Sequence, residues 1–100
     1  MLFEQPLNLF KEERFMWIIS EERSINLDNV WRISLGANSF HYNDNCLLFE
    51  GNGTVSLDCI TFENAKEMLK DINQAIYDGK KTFNFDAHLS YIEKRRKNDD

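Results

Sequence analysis

Proline occurs once, at Pro6, and glycine four times in 100 residues. A chain so poor in both is neither collagen-like nor a low-complexity linker. Cysteine is nearly as scarce. Cys46 and Cys59 lack C-x-x-C spacing, and His41 and His88 are the only histidines that could join them, so no structural metal or other cofactor is expected. Both thiols are expected to stay reduced and to pack as small apolar groups. The longest apolar run, Phe15-Met16-Trp17-Ile18-Ile19, falls far short of the roughly 20 residues that a membrane helix needs. No membrane association is expected. The start, Met1-Leu2-Phe3-Glu4-Gln5-Pro6, has an acid where a secretion signal carries bases, so a cytoplasmic location is expected. A phosphate loop is missing too, because Gly51-Asn52-Gly53 is followed by neither a lysine nor a helix start.

What is present suits a single globular domain: 42% of residues are hydrophobic and 29% charged. Residues 15–78 read as its core, and 1–14 and 79–100 as ends that pack onto it or stay partly mobile. The formal charge is −5, unevenly spread: residues 1–78 hold 13 acids and 6 bases, and residues 79–100 hold 4 acids and 6 bases. An acidic body repels nucleic-acid phosphates, which argues against general DNA or RNA binding and favours a basic protein partner.

Residues 65–78 carry the clearest periodicity. Ala65, Met68, Leu69, Ile72, Ala75 and Ile76 form one helical stripe, Asn64 and Glu67 have the spacing of a capping box, and Asp78-Gly79 supplies the stop. Upstream the pattern is β. Phe15–Ile19 reads as a strand, Glu21–Ser24 as a turn, Ile25–Leu27 as a strand, and Asp28-Asn29 as a bend. Val30–Leu35 follows, with Trp31, Ile33 and Leu35 on one face, and then a short strand through Phe40 and Tyr42. Cys46–Glu50 and Thr54–Phe62 form a hairpin with two competing registers. A two-residue Asn52-Gly53 turn pairs Cys46 with Cys59; a three-residue loop pairs Phe49 with Val55 and Leu47 with Leu57. The second is preferred because it gathers the larger apolar groups on one face. Thr82–Phe85 alternates like a last edge strand, and Asp86 is placed to cap a short helix carrying Leu89 and Ile92. The expected fold is α+β, an antiparallel meander of about five strands packed by one amphipathic helix. A pleckstrin-homology-like partial barrel is the alternative closure. Strands apolar on both faces need a cover, from the termini or from a second copy of the chain.

Nucleophilic catalysis would need Cys59 beside His41 or His88, yet the strand pattern puts Cys59 among packed apolar residues. No enzyme is expected. Glu12-Glu13 and Glu21-Glu22 flank the first strand and are the candidate acidic binding face. Lys94-Arg95-Arg96-Lys97 is a compact basic run, and Trp17 and Trp31 would serve as contact anchors if exposed.

The run Trp17-Ile18, Ile25 to Val30, Ile60 to Ala65 and Met68-Leu69 resembles many small uncharacterised prokaryotic and phage proteins built as a β-meander followed by one helix. The likeness spans about residues 15–78 and brings no catalytic residue with it. Eleven asparagines against four alanines fit an AT-rich genome. In size and charge the chain is similar to toxin-immunity and phage anti-defence proteins. These features together lead to the expectation of a small acidic binding protein that acts as an inhibitor. The alternative is a structural or accessory subunit that homodimerises through its sheet, so either a monomer or a homodimer is expected.

Overall fold

The computed structural model describes residues 16–99, and the fold is α+β. Strands β1 (Trp17–Ile19), β2 (Ser24–Asn26), β3 (Val30–Leu35), β4 (Cys46–Gly51) and β5 (Thr54–Asp58) precede helix α1 (Phe62–Tyr77); β6 (Thr82–Asn84) and helix α2 (Phe85–Asp99) follow. The strands do not form one meander. They divide into two three-stranded sheets, ordered β2-β1-β6 and β3-β4-β5, and neither is a closed barrel. The division comes at the 3₁₀ turn Leu27–Asn29, where the Asn26 side chain accepts from the Asp28 amide at 2.9 Å. The anticipated bend is therefore a corner between sheets. Sequence periodicity reads along the chain and has no information on which strands later meet. That is why the parallel β1–β6 pair, joining Ile18 to Phe83, was not foreseen.

The sheet of β3, β4 and β5 keeps the preferred hairpin register, with Phe49 opposite Val55 and Leu47 opposite Leu57. Leu47, Phe49 and Leu57 thereby join Met68 and Ile72 of α1 in one core. The expected strand through Phe40 and Tyr42 does not form. That stretch is turn and bend, with Phe40 fully exposed. A bulge between Val30 and Arg32 interrupts the β3–β4 ladder. Gly51 stands opposite Val30, and a Cβ there would lie 2.0 Å from the Asn29 carbonyl oxygen, so only glycine lets the strand ends close. Trp31 lies at this bulge and borders the same hollow beside α1 as Ile33, but it is not covered as Ile33 and Leu35 partly are. It is 74% exposed.

Helix α1 starts three residues before the expected Ala65. Thr61, not Asn64, is the cap, its hydroxyl accepting from the Asn64 amide at 3.1 Å. Asn64 is instead buried and bonded to three partners: its Nδ2 donates to the Cys59 carbonyl at 2.9 Å and to the Glu93 carboxylate, and its Oδ1 accepts from Arg96 Nε at 2.8 Å. The stop is as expected. Gly79 has φ 75°, and the amides of Gly79 and Lys80 return to the carbonyls of Ile76 and Ala75. Just before the helix, Ile60 holds φ 77° while the Thr61 amide reaches back to the Cys59 carbonyl. A β-branched residue in the left-handed region is strained.

The C-terminal segment is more than a short helix. Helix α2 has 15 residues and packs on α1 and β1, burying Phe85 and Ile92 completely or nearly so. It supplies part of the cover that the apolar strands require. The cover expected from the N-terminal end falls on residues outside those described. No helix among the described residues is long and apolar enough to cross a membrane.

Candidate functional site

Glu21 and Glu22 occupy the tight turn between β1 and β2, where the Ser20 amide donates to the Arg23 carbonyl at 3.0 Å. Polar residues at this reversal leave both side chains in water. The turn is pinned from far along the chain, because the Glu21 amide donates to Asp86 Oδ2 at 2.6 Å. Asp86 lies in the first turn of α2, where a carboxylate also complements the helix dipole. Asp58 ends β5 beside it. Glu21, Glu22, Asp58 and Asp86 line one cleft of about 310 Å³, with Tyr42 and Ser56 on its rim and Cys46, Leu57 and Phe85 in its wall. Among the described residues, no lysine, arginine or histidine lines this cleft.

The negative field reaches the wall. Burial pushes the Cys46 thiol above its ordinary range, and the charge of Asp58 adds to the shift. Cys59, fully buried, is pushed to about 12 by burial first and by Asp58 second. A thiol so hard to ionise is a poor nucleophile. Its Sγ lies 3.8 Å from the Leu57 carbonyl, while His88 Nε2 faces Asp71 Oδ2 at 2.7 Å, so no hydrogen bond joins Cys59 to that histidine. Among the described residues no group of three or more His, Cys, Asp or Glu side chains is placed to hold a metal ion.

The other candidates named from the sequence are dispersed. Glu12 and Glu13 lie outside the described residues. Trp17, on the central strand of its sheet, is 37% exposed, and Trp31 projects from the far sheet at the bulge. The basic run sits on the last turns of α2 and divides by face. Arg95 Nη2 meets Glu67 Oε2 at 2.5 Å and stacks over Tyr91, and Arg96 holds Asn64, so both arginines fasten α2 to α1. The bond to Glu67 is the main cause that raises the Arg95 guanidinium above its ordinary value. Lys94 and Lys97 are exposed.

Asp58 and Asp86 escaped the sequence reading because each had a sufficient local role, on the outer face of a strand and at a helix start. Only the tertiary fold brings them to a turn 37 and 65 residues away from them, counted from Glu21. No protein-family model, curated protein or solved structure matches the chain.

Proposed function

We propose that the chain is a non-enzymatic protein-binding module whose acidic cleft receives a basic segment of a partner protein, as small inhibitors of the immunity or anti-defence type do. The observation that carries this reading is the convergence of Glu21, Glu22, Asp58 and Asp86 on one cleft with no basic residue in its lining among the described residues. Four carboxylates held by the ends of β5 and α2 and by the β1–β2 turn present acceptors to the lysines or arginines of a partner. The net charge of −5 adds long-range attraction, which acts mainly on the rate of association. The inert Cys59 and the scattered histidines support the non-enzymatic part of the reading.

The test compares the wild-type chain with Glu21→Lys/Glu22→Lys as bait for proteins of the native host. Both positions are exposed, so the variant should melt like the wild type. The expected result is a basic protein captured at low salt, released as ionic strength rises, and missed by the variant. Retention of the same protein by the folded variant, at an unchanged association rate, would rule the cleft out.

A second reading, a structural or accessory subunit that associates with its own copy, is favoured by a different observation: the outer edge of β3 carries no strand among the described residues.

A further inference from the structure

Edge strands are usually blunted by bulges, prolines or charges, because an unpaired row of amides and carbonyls templates another strand. The stretch Arg32–Leu35 of β3 is blunted by none of these. Its register with β4 is regular, its one charge is held by Glu50 (Arg32 Nη2 to Oε1, 2.9 Å), and no backbone hydrogen bond from it to any element but β4 occurs among the described residues. The bulge lies beyond this stretch, at Trp31.

Between this edge and α1 run two adjoining hollows of about 420 and 500 Å³, which share Asn73 as a wall. The first is bordered by Asp28 and Trp31, at the start of β3. The second is bordered by Leu35, Leu69 and Lys70, at its end. The groove is thus polarised: an acid and a projecting indole at one end, an apolar hollow and a base at the other. Neither the Asp28 carboxylate nor the Lys70 amine has an ion-pair partner among the described residues.

Resting on the second reading above, we infer that the occupant of this groove is a second copy of the same chain, with its β3 antiparallel to this one across a two-fold axis near the middle of the strand. A two-fold axis perpendicular to the sheet sets the start of one β3 against the end of the other. Asp28 of each copy then approaches Lys70 of its mate, and each Trp31 approaches the hollow beside the other's Leu35 and Leu69. Asn73, common to both hollows, lies nearest the axis. An unrelated extended peptide could pair with the edge as well, but it would have to bring both an acid and an aromatic anchor in the right order, and this chain already has them. The two sheets of β3, β4 and β5 would become one six-stranded sheet with both α1 helices on the same face.

The experiment is sedimentation equilibrium of the purified full chain across a concentration series, with no partner present. A dimer is expected, and Trp31→Ala should weaken it by about thirtyfold, as loss of a buried aromatic anchor does, with the circular dichroism spectrum of the folded chain unchanged. Asp28→Lys alone and Lys70→Asp alone should each weaken it by about tenfold, because each reversal strikes two symmetry-related contacts. The double variant restores opposite charges across the axis and should recover most of the loss. That recovery is the signature of a self-complementary edge. A wild-type chain monomeric throughout overturns the subunit reading itself. A dimer indifferent to Trp31→Ala and to both reversals, or a double variant no better than the singles, overturns this geometry alone. Neither outcome bears on the acidic cleft, whose test uses a different partner.

Discussion

Asn64 shows how much one polar side chain can hold when it is buried. It links the β5–α1 connection to α2 by bonding Cys59, Glu93 and Arg96. Asn64→Ala leaves a buried carbonyl and two charged groups without it, at a cost of about 2–4 kcal/mol. Chemical denaturation of the purified variant should show this as a lower midpoint with little change in slope; an unchanged midpoint would mean that water replaces the amide freely. The two thiols give a residue-scale prediction of a different kind. Cys59 is raised from 9.0 to about 12 and Cys46 is raised too, so folding holds both in the neutral form. The unfolded chain loses these protons first as pH rises. The stability contributed is therefore complete below pH 9 and declines from there towards pH 12. Melting temperature should fall across that window more steeply in the wild type than in Cys59→Ala. Below it, neither thiol should react with a maleimide until the chain is unfolded.

At the scale of the element, α1 separates two residues that periodicity treated alike. Ile72 is fully buried in the core, whereas Leu69 is only partly covered and borders the groove beside β3. Ile72→Ala should cost about 2–5 kcal/mol, and Leu69→Ala less than about 2 kcal/mol, as measured by thermal or urea unfolding. Equal losses would mean that the groove is closed in solution. The same distinction explains β3. Alternation places Trp31 with Ile33 and Leu35, and it does border the same hollow as Ile33, but at the bulged start of the strand it is left 74% exposed. A bulge leaves no mark in the hydrophobic pattern, since it depends on how Val30 and Arg32 meet Gly51 and Glu50 on another strand.

Across the whole molecule, the acidic cleft and the open edge are built from different residues. The acidic cleft lies where the β1–β2 turn, β5 and α2 meet; the open edge and its groove lie where β3 passes α1. They share no lining residue, so substitutions at one can be tested without altering the other. Half of the basic run serves the fold, since Arg95 and Arg96 clasp α1 through Glu67 and Asn64 while Lys94 and Lys97 are exposed.

Local information was enough for the α+β class, for the hairpin register, for the Gly79 stop of α1 and for the strand at Thr82, because caps, turns and alternation act within a few residues. The acidic character of the body and the exposure of Glu21 and Glu22 were legible for the same reason. What needed the tertiary structure was every feature that joins distant segments. The parallel β1–β6 pair splits the strands into two sheets, Asp58 and Asp86 complete the cleft around Glu21, and α2 becomes a full helix that buries Phe85 and Ile92. Such contacts are selected by burial and by hydrogen-bond satisfaction among residues far apart in sequence, and no pattern along the chain encodes which of them will meet.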